Sequence, residues 1–208
     1  MSDWAQGERR VLVKALRELG PDKPTACGGW TTADMAAHIY VRERRADAMP
    51  GVVVPGRLAN HTDRVMASVL RVHDFDHVVD RIAAGPPLAL RPLDELINLF
   101  EFFVHAEDVR RCNGYDVRDL PLEQEQAMWR RLRPMLRAMF RRAKGVQVEF
   151  VTTHGDRGVI RGSGATVRLL APVGDLALYA YNRKAIADVT ITGDPAAVAV
   201  VESARLGP

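Results

Sequence analysis

Glu101 and His105 stand four residues apart in a stretch that reads as one helix, so their side chains stack on one face. A carboxylate and an imidazole one turn apart can close on a single metal ion. At about 100° per residue, Asp94, Asn98, Glu101, His105 and Asp108 fall within about 80° of arc. Ile97 and Val104 flank this stripe on one side, Phe102 and Val109 on the other, and Leu96, Leu99, Phe100 and Phe103 cover the back. An apolar arc far wider than the ~100° of a surface helix predicts a helix at the centre of a bundle, although a narrow polar stripe is also what a helix turns towards water. A metal needs a third anchor. His38, mid-helix among Met35, Ala36, Ala37 and Ile39, offers one. Two histidines and a glutamate from facing helices would form a His₂Glu set with an open position for water or substrate. The other reading of His38 is a half-exposed side chain beside Asp34 and Arg42.

The elements that must carry these residues are legible from apolar spacing and from turn residues. Val11, Leu12, Ala15, Leu16 and Leu19 predict a first helix over Trp4 to Leu19, stopped by Gly20-Pro21. Thr31 followed three positions later by Asp34 forms a capping box for a second helix through His38 towards Ala48, ended by Pro50 and followed by a connector over Val52 to Gly56. A third helical region spans Leu58 to Ala84 with a break near His73-Asp74, closed by Gly85-Pro86-Pro87. The fourth starts after Pro92 and reaches Cys112, with Asn113-Gly114 as a left-handed cap. A fifth covers Leu122 to Lys144, with Pro134 as a kink.

After Gly145 the period changes from helical to alternating. Val146, Val148, Phe150 and Thr152 read as a strand, and Gly155-Asp156-Arg157-Gly158 as a hairpin turn. Further strands are predicted at Val159-Ile160, Thr166 to Leu170 and Asp188 to Thr192. Helices are predicted over Pro172 to Lys184 and after Gly193-Asp194-Pro195. A domain boundary is accordingly expected near Gly145.

Three segments resemble a known family. Gly29-Trp30-Thr31-Thr32-Ala33-Asp34-Met35-Ala36-Ala37-His38 resembles the Gly-Trp-Ser/Thr-x-x-Asp-Leu/Met-x-Ala-His segment of DinB-like metal-binding helix bundles. Glu101-Phe102-Phe103-Val104-His105-Ala106-Glu107-Asp108-Val109-Arg110 resembles their Glu-x-x-x-His-x-x-Asp-x-Arg helix. Gly174-Asp175-Leu176-Ala177-Leu178-Tyr179-Ala180-Tyr181-Asn182-Arg183 is similar to the Asp-Leu-x-Leu-Trp-Leu-x-Gly-Arg helix of the mycothiol-dependent maleylpyruvate isomerase group, with Tyr179 in place of tryptophan and Asn182 in place of glycine. The resemblance covers most of the chain. It implies an α+β fold, with a DinB-like four-helix-type bundle over 1–144 and a small α/β domain over 145–208. It further implies a divalent metal, usually zinc, on His38, Glu101 and His105 with water completing the shell. Arg183 then matches an arginine implicated in catalysis. The co-substrate implied is mycothiol, a small actinobacterial thiol. A zinc-bound thiol becomes a thiolate at neutral pH, so the resemblance implies an isomerase or S-transferase acting on a small electrophilic substrate. Asp108 either orients a ligand from behind or pairs with Arg110 or Arg111. A non-catalytic metal-binding or sensor module is the alternative. A basic interaction protein without metal is a third reading.

Composition bounds these readings. The chain has 208 residues, 47% hydrophobic and 26% charged, with a formal charge of +3. No apolar run approaches the ~18 residues of a membrane span, and the N-terminus lacks the pattern of a signal peptide. Two cysteines, Cys27 and Cys112, fit a reducing compartment, and a cytoplasmic protein is expected. Arginine far outnumbers lysine, as in products of GC-rich bacterial genomes. Arg130, Arg131, Arg133, Arg137, Arg141, Arg142 and Lys144 read as a solvated helix face, without the interleaved aromatics of a nucleic-acid surface. Small-molecule partners are therefore expected, with no nucleic acid and no membrane. His73 and His77, four apart beside Asp74, Asp76 and Asp80, read as a wet charged face. His61 lies nearby and His154 falls in the hairpin. Cys27 and Cys112 read as bystanders.

Overall fold

The first helix, α1 (Trp4–Leu19), forms where expected. The Asp3 carboxylate caps it by accepting from the Gln6 amide at 3.2 Å, and Gly20 ends it at φ 73°. The computed structural model describes residues 3–44, 57–86 and 91–207, and the side chains at 57–63 and 91–97 lie outside that description. Pro50, the connector over Val52 to Gly56, Pro87 and the side chains of His61 and Asp94 therefore lie outside the described residues. The chain folds as two units, Met1–Val117 and Arg118–Pro208.

In the first unit, α1 is followed by α2 (Thr32–Arg44), α3 (Arg57–Val72), α4 (Phe75–Ala83) and α5 (Arg91–Cys112). The break expected near His73-Asp74 separates α3 from α4, and Asp74 caps α4 by accepting from the His77 amide at 2.7 Å. The unit is thus a helical bundle, with five helices among its described residues. Leu12 and Leu16 of α1, Met35 and Ile39 of α2, Val69 of α3, Ile82 of α4 and Phe102 of α5 meet in one buried cluster. Ala36 and Ala37 are fully buried, so α2 approaches its neighbours closely. Inside this apolar volume sits one ion pair. Arg9 Nη2 lies 2.6 Å from Glu43 Oε1, Arg9 Nη1 donates to the Ile82 carbonyl at 3.0 Å, and the guanidinium rests 4.2 Å from the centre of the Phe102 ring. This arginine ties four helices together.

In the second unit, α6 (Leu122–Met139) precedes the strands β1 (Gln147–Thr152), β2 (Arg157–Ile160) and β3 (Thr166–Ala171), then α7 (Val173–Ala180), a 3₁₀ turn (Lys184–Ile186), β4 (Thr190–Gly193) and α8 (Pro195–Ser203). The sheet order is β2-β1-β3-β4; β1 and β3 run parallel and the outer pairs antiparallel. The chain crosses from β2 to β3 against the start of β1. A β-carbon at Gly162 would lie 1.9 Å from the Val146 carbonyl oxygen, and one at Gly164 1.8 Å from that of Gly145, so glycine is required at both positions. Val148, Phe150, Val167 and Leu169 alternate inward and are buried.

The two compact units divide between Val117 and Arg118, whereas the change of period at Gly145 falls inside the second of them. The apolar face of α6, with Trp129, Leu132 and Leu136 buried, belongs to the second unit. Trp129 abuts Gly158 of β2, and Phe140, just past the helix, meets Phe150 of β1 edge to face at 4.9 Å. The change of period at Gly145 marks the first strand within that unit. The helix also ends at Met139 instead of Lys144, because Phe140 turns into the core as its C-cap. Likewise α7 stops at Ala180, short of Lys184, where Asn182 takes φ 63°. No helix among the described residues is long and apolar enough to cross a membrane. Cys27 and Cys112 are both free thiols.

The buried ion pair gives a stability prediction. Glu43→Ala, which strands the Arg9 charge, is expected to lower unfolding stability by about 3–5 kcal/mol in urea titration. The double replacement Arg9→Met with Glu43→Leu is expected to cost less than either single change.

Candidate metal centre

The second helix begins as its sequence dictates. Thr31 N–H donates to Asp34 Oδ2 at 2.9 Å, and Asp34 N–H returns a bond to Thr31 Oγ1 at 3.2 Å, closing the capping box. The Thr32 amide donates to the Lys23 carbonyl at 2.8 Å, and the Thr32 hydroxyl bonds the Gly20 carbonyl, so the start of α2 is stapled to the end of α1. Two turns on, His38 is buried (7% exposed), not half-exposed beside Asp34. Its ring lies 5.1 Å from that of Trp30 and 5.1 Å from that of His105.

On α5, Asn98, His105 and Asp108 are buried and Glu101 is one-fifth exposed. His38 Nε2 lies 3.1 Å from Glu101 Oε1, and His105 Nε2 lies 3.3 Å from the same oxygen. One donor atom from each of His38, Glu101 and His105 falls within 4.8 Å of the others, so the three could hold a metal ion. Arg42, on the same helix as His38, places its Nε 3.0 Å from Glu101 Oε1 and also bonds Asn98. Thus two imidazoles and a guanidinium converge on one carboxylate oxygen. The donor set is two neutral-capable nitrogens and one carboxylate, which suits zinc and neighbouring divalent ions.

The far side of His105 is equally organised. Its Nδ1 lies 2.9 Å from Asp108 Oδ2, and Asp108 is fully buried. A carboxylate on one imidazole nitrogen fixes the tautomer and turns the other nitrogen towards a metal. Arg110 and Arg111 both pair with Glu107, at 3.5 and 2.6 Å. Cys27, expected as a bystander, is part of the arrangement: its Sγ donates to Asp108 Oδ2 at 3.1 Å and lies 3.9 Å from His105 Nδ1. Cys27, His105 and Asp108 are a second group whose donor atoms cluster, and the two groups share His105. Nothing in the spacing of Cys27 announces this. The Ala26 amide donates to the Asp108 carbonyl at 3.0 Å, and this loop contact delivers the thiol.

Protonation follows from these contacts. Burial disfavours a charged His105, but the bonds to Asp108, Cys27 and Glu101 outweigh it and hold the imidazole well above its ordinary pKa. Burial works to raise Glu101, yet the bonds from His105 and His38, with the Arg42 charge, keep it well below the usual carboxylate range. His38 goes the other way. Burial lowers it, and the neighbouring His105 adds to the shift against the opposing Glu101 bond. These contacts favour the proton on His105 over His38 and Glu101.

The other histidines do not assemble a comparable cluster among the described residues. His73 and His77 stack at 4.7 Å beside Tyr40, and the exposed His154 pairs with Glu125 at 2.7 Å. Arg183 opens the 3₁₀ turn of the second unit, where its Nη1 donates to the Tyr181 carbonyl at 3.2 Å. Tyr179 is buried and stacks near Phe140, and Asn182 accepts from the Leu206 amide at 3.0 Å. Both substitutions therefore serve the fold. An aromatic ring still fills the core, and asparagine tolerates the left-handed backbone a glycine would take.

No family model matches this chain, and no curated protein sequence matches it. Its fold is similar to that of a protein solved as the mycothiol-dependent maleylpyruvate isomerase, with a TM-score of 0.58 over 91% of this chain and 90% of that one, at 14% identity. The likeness shows a shared mixed α+β fold.

Two outcomes test this geometry. Asp108→Asn is expected to weaken zinc binding about 10- to 100-fold in competition with a chromophoric chelator. A metal on His105 Nε2 must displace the proton held there, so zinc added to chelator-treated protein at neutral pH is expected to release protons. Calorimetry in two buffers of unlike ionisation enthalpy reads this, and affinity should fall as pH drops below the raised pKa of His105.

Proposed function

We propose that this chain binds a divalent metal ion, zinc, through His38, Glu101 and His105, and uses it with a low-molecular-weight thiol to isomerise or thiolate a small electrophilic substrate. The observation that carries the reading is the convergence of His38 Nε2 and His105 Nε2 on one oxygen of Glu101. The fold it shares with a mycothiol-dependent isomerase supports the choice of thiol chemistry, and mycothiol is the thiol proposed.

His38 and His105 would supply two nitrogens and Glu101 one oxygen, leaving a position for water or thiol. Zinc held there lowers the pKa of a bound thiol and favours its thiolate. Asp108 keeps the Nδ1 proton of His105 and so keeps Nε2 directed at the site. Arg42 neutralises part of the Glu101 charge and is itself held by Asn98, so it would stay beside Glu101 with a metal bound. Arg183 is proposed to grip a substrate carboxylate with a two-pronged bond. A thiolate adding to one carbon of a cis double bond leaves a single bond that can rotate, and its departure restores the double bond as trans. Where the substrate has a leaving group instead, the thiol stays attached and the product is a thioether.

Protein purified without chelator is expected to carry close to one zinc per chain, and His38→Ala or His105→Ala to lose it. With cobalt in place of zinc, mycothiol is expected to add a thiolate-to-metal absorption band in the near ultraviolet. Wild-type protein free of metal would sink the reading. A cobalt spectrum indifferent to thiol would leave a metal-binding module without catalysis. Arg183→Ala is expected to raise KM for a carboxylate-bearing substrate while the metal content stays unchanged.

A further inference from the structure

The arginines of α6 do not share one fate. Arg141 and Arg142, just past the helix, donate to the Gly207 and Arg205 carbonyls and fasten the C-terminal segment. Arg130, Arg133 and Arg137 are exposed, and among the described residues they make no ion pair or hydrogen bond. Positions 130, 133 and 137 lie within about 60° of arc on a helix, so the three guanidinium groups form a row along one face. They line a cavity of about 410 Å³ between α6 and β2. Its apolar wall comes from Trp129, Pro134, Val159 and Ile160, and no acidic residue lines it. Val159 stays 53% exposed beside it.

Several other arginines have carboxylates: Arg9 takes Glu43, Arg17 takes Asp80, Arg111 takes Glu107 and Arg168 takes Glu149. A row of three without a counter-charge is unfavourable by mutual repulsion, and an anion lying along it relieves that. Arg130 and Arg137 are two helical turns apart, about 10 Å along the axis at ~1.5 Å per residue. One acid group cannot span that row; two can. The volume is that of a small-molecule site, which typically begins at about 300 Å³.

We infer that the groove between α6 and β2 binds a small organic diacid with a flat apolar body, its acid groups held by Arg130, Arg133 and Arg137 and its body against Trp129 and Val159. All of these residues belong to the second unit, and the inference does not rest on the metal reading.

Terephthalate is the probe, titrated calorimetrically into the full chain at low salt, with benzoate and pyrophosphate as controls lacking the second acid group or the apolar body. Terephthalate is expected to bind one per chain and more tightly than either control. Arg133→Ala and Arg137→Ala are each expected to weaken it roughly tenfold, the loss of one charge-assisted contact. Arg10→Ala, an exposed arginine of α1, should leave it unchanged, and all three variants should melt with the wild type. Absence of binding overturns the inference, as does equal binding of benzoate or equal weakening by Arg10→Ala. Binding that disappears after chelator treatment would assign the probe to the metal and also overturns it. Displacement by an oligonucleotide at lower concentration than by terephthalate would make the row a phosphate-backbone surface instead.

Discussion

Everything about the centre depends on a buried imidazole held at both of its nitrogens. His105 meets Asp108 on one side and Glu101 on the other. A ring gripped at one nitrogen could swing; a ring gripped at both has a single orientation. Its carboxylate partners are not free to drift either. Asp108 has no contact with water and also accepts from the Cys27 thiol. Glu101 is one-fifth exposed and gathers three donors. In an apolar bundle such charges persist only when each has its partner. The demand for partners therefore holds α2 to α5 at this level, through His38 and Arg42 on one side and Glu101 on the other.

The same constraint explains the loop between α1 and α2. Residues 20–31 carry little apolar weight, yet they are pinned along their length. Thr32 bonds Gly20 and Lys23, the Thr25 amide donates to the Trp30 carbonyl at 3.0 Å, and Ala26 reaches Asp108. One end of the loop starts α2 in the register that aims His38 at Glu101, and its middle delivers Cys27 to the back of His105. Moving the loop would disturb the imidazole from both directions, first through the capping box and again through Asp108. Local turn chemistry and site geometry are one structure here.

Much of this was legible in the residues. The i,i+4 pair on a helix apolar nearly all round required that its polar stripe meet something buried, and Thr31 with Asp34 gave the start of the facing helix. The chemistry of Asp108 was half visible: its place on the stripe was, but nothing decided between His105 and the two arginines beyond it. Glu107, at the next position back, takes both guanidinium groups. Cys27 was invisible, because a cysteine in a glycine-rich loop has no period to place it and its role comes from a fold contact 81 residues away. That α6 packs within the second unit was not legible for a related reason. A change from helical to alternating period shows where strands begin, but which sheet a preceding helix covers depends on partners such as Gly158, far along the chain.

The second unit shows how little a shared fold says about a ligand. At 14% identity the fold is kept, and Tyr179 in α7 and Asn182 just past its end are of the kind that keep it. Tyr179 still fills the core, and Asn182 adopts the φ of 63° that the turn requires. Residues that could select a substrate are the ones the core does not need: an arginine in a turn, and guanidinium groups on a helix face whose opposite side is wholly occupied with packing. Trp129 serves both sides, since its ring lies against Gly158, where a β-carbon would stand 3.1 Å from it, and also walls the groove. A glycine at 158 is what lets a large indole lie flat enough to support the sheet and still offer a surface to a ligand. On the proposed reading, specificity in this unit would change through exposed arginines while the sheet, the crossing at Gly162 and Gly164, and the cap at Asn182 stay as they are.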